Sequence, residues 1–133
     1  MVAGTSASSA PCVLIVEDEV LVRMFAVDVL EDSGFAVEQA ASGKEALEKF
    51  GAERQRLAAA IIDLGLPDQS GDEIAAAIRA QEGTLPILIA SGRSERELKD
   101  RFAGDAAIAV LAKPYTEPML LEALSKLGIR KPR

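Results

Sequence analysis

The sequence predicts an α/β domain built on an open parallel sheet, and three observations predict it. Five short apolar runs recur along the chain, at 12–16, 36–40, 58–62, 86–90 and 107–111. Longer segments with helical apolar spacing lie between them, and most open on a recognisable helix-start signal. Strands that alternate with helices form βαβ units, whose strands lie parallel. The 117 residues from 12 to 128 fit five such units. A closed eight-fold barrel needs about 250 residues.

Each element has a local justification. Cys12-Val13-Leu14-Ile15-Val16 is apolar throughout, as a strand covered on both faces requires. Over 20–33, Leu21, Met24, Phe25, Val27 and Leu30 fall at helical spacing, and Gly34 supplies the stop. The second run mixes in Glu38 and Gln39, which puts it toward an edge of the sheet. Ser42 with Glu45 three residues on matches the capping box, in which two orphan backbone donors are satisfied reciprocally. Ser70 with Glu73, and Ser94 with Glu97, repeat that signal for the third and fourth helices. Thr116 followed by Glu117-Pro118 starts the last one, with proline in the first turn where it is tolerated. Gly83 and Gly128 are the expected stops of two further helices. Residues 1–11 are small and polar and are expected to form a disordered leader; 12–128 form the domain and 129–133 a tail.

Composition excludes much chemistry. The chain has no histidine and a single cysteine, Cys12. His-ligated zinc, Ser-His-Asp triads, Cys clusters and an internal disulfide are therefore all out of reach. Cys12 at a strand start is expected to be a small core residue. The net charge of −6 and the scattered basic residues argue against nucleic acid as a partner. No apolar stretch approaches the ~20 residues that span a bilayer, so the expectation is a soluble, cytoplasmic protein with no membrane partner.

In an open parallel sheet, ligands bind beyond the carboxyl ends of the strands. After the first run come Glu17-Asp18-Glu19; the third ends in Asp63; the fourth is followed by Ser91-Gly92; the fifth by Ala112-Lys113-Pro114. Acids, a hydroxyl and a lysine thus converge on one edge. Clustered carboxylates raise one another's proton affinity unless a cation is present, and Mg²⁺, a hard ion with oxygen ligands, answers that need. A carboxylate can also attack phosphorus, building charge that a metal, Lys113 and Ser91 are of the right type to stabilise. The reading is phosphoryl transfer onto Asp63, which stands alone at the central strand. Asp68 and Ser70 are better explained by loop geometry and capping, and Tyr115 as either packing or a partner contact.

With these residues in place, the chain resembles a response-regulator receiver domain over essentially residues 12–127. The resemblance rests on Val16-Glu17-Asp18-Glu19, on Ile62-Asp63-Leu64-Gly65-Leu66-Pro67-Asp68-Gln69-Ser70-Gly71, on Ala90-Ser91-Gly92 and on Leu111-Ala112-Lys113-Pro114. Any one motif is weak. Four in order, with gaps of 45, 28 and 22 residues from Asp18 to Asp63 to Ser91 to Lys113, are specific. The resemblance implies a flavodoxin-like three-layer fold with strand order 2-1-3-4-5, the order the doubly-wound class includes for a chemotaxis receiver. It implies Asp63 as phosphoacceptor, and Glu17, Asp18, Asp63 and the Gly65 carbonyl as the Mg²⁺ site. Ser91 and Lys113 would then contact the phosphoryl group, and the Lys113–Pro114 bond would be cis.

The chain departs from the family pattern in two places. Glu17 replaces the commoner aspartate, and Val110 occupies the strand-five position that usually bears a switching Tyr or Phe, so an aromatic switch does not carry over. The stretch 86–92 with Lys113-Pro114-Tyr115 loosely resembles a subgroup with a P-F-x-F-A-T-G motif, although Arg93 stands where that subgroup has an aromatic or small residue. Gly65 and Arg93 flank the acceptor and are expected to set the lifetime of the phosphoryl group.

The function implied is a phosphorylation-dependent switch in two-component signalling. A sensor histidine kinase or a histidine phosphotransfer protein would be the donor, and a downstream protein would bind at helix four, strand five and helix five, around 94–127. It would not be an enzyme on other substrates, catalysing only its own phosphorylation and dephosphorylation. The alternatives are a phosphorylation-independent binding module and a phosphate sink for a shared kinase. An aspartyl-nucleophile phosphatase is disfavoured, because Asp63-Leu64-Gly65 lacks the second acid of the D-x-D motif.

Overall fold

A computed structural model describes residues 10–132 of the chain. Most of the expected leader therefore lies outside the described residues. Five strands, β1 (Cys12–Val16), β2 (Ala36–Ala40), β3 (Leu57–Asp63), β4 (Ile87–Ser91) and β5 (Ile108–Ala112), alternate with five helices. These are α1 (Val20–Asp32), α2 (Gly43–Glu53), α3 (Gly71–Gln81), α4 (Glu95–Arg101) and α5 (Glu117–Lys126). The strands form one parallel sheet in the order β2-β1-β3-β4-β5, a flavodoxin-like three-layer α/β/α fold.

The sheet divides the core by the two-residue period of its side chains. Val13, Ile15, Ile61, Leu88 and Ala90 point to one face, where Ala26, Val27 and Leu30 of α1 and Leu120, Ala123 and Leu124 of α5 cover them. Leu14, Val16, Ala60, Ile62, Ile87 and Ile89 point to the other, under Phe50 of α2, Ile74 and Ile78 of α3 and Leu98 of α4. β1, β4 and most of β3 are buried on both faces, which is why their sequences show no polar alternation. Truncating a wholly buried side chain such as Phe50 to alanine is expected to cost about 3–5 kcal/mol.

Some local signals resolve differently from their sequence patterns. The capping box closes fully only at α3, where Ser70 Oγ accepts from Glu73 N and Glu73 Oε1 accepts from Ser70 N. At α2, Glu45 reaches one residue further back and accepts from Ala41 N at 2.6 Å. At α4, Ser94 Oγ accepts from Glu97 N but donates its own hydroxyl to Glu97 Oε1, so that carboxylate does not return to the backbone. Gly34 and Gly128 take the left-handed conformation that ends a helix, at φ 98° and 86°. Gly83 does not: α3 ends at Gln81, with Glu82 extended at its C-cap. The fifth run, although apolar in sequence, is only half-buried over Ile108–Val110, because β5 is the second edge of the sheet. After α5, Ile129 packs against the α1/α5 side of the core. Among the described residues, no helix is long and apolar enough to cross a membrane.

Candidate functional site

The site lies at the carboxyl ends of β1, β3, β4 and β5. Only three polar or charged residues are buried among those described: Glu17, Asp63 and Ser91, at 2%, 5% and 6% exposure. Elsewhere among the described residues, the half-buried Arg79 takes one guanidinium nitrogen out of solvent, but no other polar residue is buried as a whole, so whole polar residues are buried at one edge of the sheet. Burying a carboxylate is expensive unless it is paired and hydrogen-bonded, and these two share a partner. Lys113 Nζ lies 3.1 and 3.4 Å from the two Glu17 oxygens, 3.4 Å from Asp63 Oδ1 and 3.1 Å from Glu19 Oε1.

Local backbone holds each group in place. Asp63 is the last residue of β3, and its Oδ1 accepts the Gly65 N–H at 3.2 Å. Leu64 N donates to Ala90 O and Gly71 N to Leu64 O, which folds the 64–70 loop back on itself. That fold requires glycine at 71, since an added Cβ would lie 2.5 Å from the Asp63 carbonyl. Gly65 is different. A Cβ there would meet only the Asp63 carboxylate, at 3.9–4.0 Å, so the approach to Asp63 from this side is open. Lys113 follows β5; its N–H donates to Ser91 O at 2.7 Å, tying the ends of β4 and β5, and its bond to Pro114 is cis.

Glu17, Asp18 and Asp63 each offer a carboxylate oxygen within 4.8 Å of the others. Glu17 and Asp63 are buried while Asp18 is more open to solvent. Burial pushes Glu17 up to about 7, with the Asp63 charge adding to the effect and the Lys113 hydrogen bond opposing it. For Lys113, burial favours the neutral amine but is outweighed by the hydrogen bonds to Glu17 and Glu19 and the charges of Asp63 and Glu17, and the ammonium is held above its ordinary range. Together these acids and one ammonium make an electron-rich pocket with hard oxygen donors. That donor set fits Mg²⁺, which prefers carboxylates supplemented by water and phosphate oxygens.

The remaining predicted residues lie around this cluster. Ser91 Oγ, at the end of β4, accepts Arg93 N at 3.2 Å. The Arg93 guanidinium is exposed and pairs with Glu97 at 3.8 Å. Val110 pairs in register with Ile89 and packs at the margin of the core. Pro114 lines a hollow of about 410 Å³ beside the acids, with Glu19, Leu21, Val22, Phe25, Lys113 and Tyr115. Tyr115 is buried there and tilts against Phe25 with ring centroids 6.0 Å apart; its hydroxyl is pushed up to about 12 by burial and by the Glu17 charge. Asp68 lies outside the site and caps α2 from across the molecule, accepting from Gly43 N and Lys44 N at 2.8 and 3.0 Å. Those two donors hold its carboxyl below the ordinary range.

Two contributors escaped the sequence reading. Glu19 was visible as the third acid of its run, but nothing in the run said that it would reach Lys113 instead of the helix it precedes. Arg23, one turn into α1, donates from Nη1 to the Glu17 carbonyl at 2.8 Å and from Nε to Gln39 Oε1 at 3.2 Å.

A doubly wound domain with an aspartate, two flanking acids and a lysine at its strand ends defines a class of α/β proteins with an acidic pocket suited to a hard cation. The family model for the response regulator receiver domain matches residues 13–125, and the chain belongs to that family, the receivers of two-component systems. It is 34% identical over 113 residues to the transcriptional regulatory protein PdtaR of Mycobacterium tuberculosis, covering 84% of this chain and 54% of PdtaR. The chain spans about half or less of the length of the curated relatives it matches. Among solved structures it resembles the chemotaxis protein CheY4 of Vibrio cholerae, with TM-score 0.79, 32% identity and coverage of 90% and 99%. It also resembles the response regulator TrrA of Thermotoga maritima in complex with Mg²⁺ and beryllium fluoride, with TM-score 0.76, 26% identity and coverage of 88% and 98%.

Proposed function

We propose that this receiver accepts a phosphoryl group on Asp63 from a phosphohistidine donor, and that the modified state changes which proteins it binds. The observation that carries the reading is that the buried polar residues among those described are Glu17, Asp63 and Ser91, with both carboxylates on Lys113 Nζ and the Ser91 carbonyl on the Lys113 N–H. A purely structural role would not concentrate that cost at one edge. Asp63 Oδ attacks phosphorus, the bond from phosphorus to the donor nitrogen breaks, and the donor imidazole leaves. Lys113 supplies positive charge to the transferred oxygens, and Ser91 a hydroxyl donor. Glu17, Asp18, Asp63 and the Gly65 carbonyl would hold Mg²⁺, whose charge offsets that of the acids and the phosphoryl oxygens. The Mg²⁺ and beryllium fluoride complex of TrrA supports the assignment of the metal. The opening beside Gly65 gives water a route to the phosphoryl group and favours a short-lived modification.

A donor protein must bring its histidine to Asp63 and therefore rest on the rim of the pocket. The apolar part of that rim is on α1, where Val20, Leu21, Met24 and Phe25 are 55%, 81%, 53% and 40% exposed. The α1 side is accordingly our assignment for a sensor histidine kinase or phosphotransfer protein, and the α4–β5–α5 face for the downstream target.

The test is intact mass after incubation with acetyl phosphate and Mg²⁺. A single phosphoryl adduct is expected, absent in Asp63→Asn and in EDTA. If neither acetyl phosphate nor a panel of phosphohistidine donors leaves an adduct, the chain is a phosphorylation-independent binding module.

A further inference from the structure

Glu17 does more than present a carboxylate. Its N–H donates to Ala40 O at 3.0 Å, and its Oε2 accepts the Glu19 N–H at 3.2 Å. Its carbonyl, the group that fixes the peptide plane leading into Asp18, accepts from Arg23. Arg23 is braced in turn by Gln39 on β2. A guanidinium with two donors engaged on two different elements sets a direction as well as a distance. A glutamate arm is one methylene longer than aspartate and has more rotamers to lose, so a fixed backbone matters more beneath it.

We propose that Arg23 is a positioning residue that fixes the Glu17–Asp18 turn and thereby sets the affinity of the acid cluster for Mg²⁺. The inference rests on the metal reading above. It also links α1 to the metal site through one side chain, since Arg23 lies on the same helix as the exposed Leu21, Met24 and Phe25.

The two ways in which Arg23 can act on the metal have opposite signs. As a nearby positive charge it repels Mg²⁺, so its removal would tighten binding. As a positioning residue it favours Mg²⁺, and partners that orient metal ligands typically contribute about 10–100-fold in affinity. Titrating the full chain with MgCl₂ in a calorimeter separates them. Arg23→Ala is expected to weaken binding about tenfold. Arg23→Lys, which keeps the charge and one donor, recovers part of the loss. Equal or tighter binding in Arg23→Ala overturns the proposal.

A second readout needs no metal. Amide exchange at Glu19 reports whether the Glu17 side chain stays in place, and in Arg23→Ala it is expected to quicken while exchange in β3 is unchanged. Asp18→Asn is the control for the metal itself. If the wild-type chain binds Mg²⁺ no better than Asp18→Asn, the metal reading fails, and Glu19 exchange then decides the positioning role alone: faster supports it, unchanged refutes it.

Discussion

On one flank of the acceptor pocket, α1 runs for 13 residues and buries Ala26, Val27, Val29 and Leu30, while its first two turns leave Leu21 and Met24 in solvent. On the other flank, α4 runs for seven residues and buries only Leu98. Its surface carries ion pairs, Glu95 with Lys99 and Arg93 with Glu97, and Arg101 reaches Asp72 on α3. Exposed pairs of this kind contribute about 0–1 kcal/mol each. The α1 flank is thus firmly seated and apolar outside, and the α4 flank lightly seated and charged outside. Elements with few buried contacts open locally at lower free energy than those with many. The contrast teaches a division of labour: a rigid, apolar helix suits docking next to the acceptor, and a weakly anchored one suits a change of position after it.

The largest expected effect tests the docking half of that contrast. In Leu21→Asp/Met24→Asp, transfer from a phosphohistidine protein should slow by about thirtyfold, the loss of a typical interface hot spot of about 2 kcal/mol. Labelling by acetyl phosphate should keep its rate, because the small donor needs no protein surface. Equal rates with the protein donor would move docking off α1.

A smaller effect sharpens the account of the pocket between the flanks. Glu17 is raised from an ordinary value of 4.5 to about 7, so the folded chain holds a proton there that the unfolded chain releases. Its contribution to stability is therefore present at low pH and is lost as pH rises from about 4.5 to about 7. Mg²⁺ must displace that proton. Mg²⁺ affinity should fall about tenfold between pH 8 and pH 6, with release of one proton on binding near pH 6. Calorimetry in buffers of different ionisation enthalpy counts that proton, and Glu17→Gln should remove it.

How much of this was legible in the sequence follows from the range of each signal. The parallel sheet and the convergence of Asp18, Asp63, Ser91 and Lys113 were readable because strand ends in such a sheet share one edge, whatever the details of packing. The strand order came from family resemblance, since five apolar runs look alike wherever they lie. β5 illustrates the ambiguity: Ile108-Ala109-Val110 reads as buried, yet it lies half-open at the sheet edge. Capping boxes were only partly legible, because a glutamate three residues into a helix has several donors within reach and selects Ala41 N at one helix and Ser70 N at another. The capping role of Asp68 was readable from its loop, but its partners, the Gly43 and Lys44 amides, were not, and Arg23 was hidden altogether. These bonds, like that of Arg23 to the Glu17 carbonyl, are made to backbone groups, which carry no residue identity in the sequence.

The measurement that tests the division of labour most directly is hydrogen exchange along the chain, before and after saturation with Mg²⁺ and beryllium fluoride, a mimic of the phosphoryl group. Altered exchange is expected across α4 and β5, residues 95–112, with α1 from Val20 to Asp32 unchanged. A change concentrated in α1, with α4 unaffected, would contradict that division.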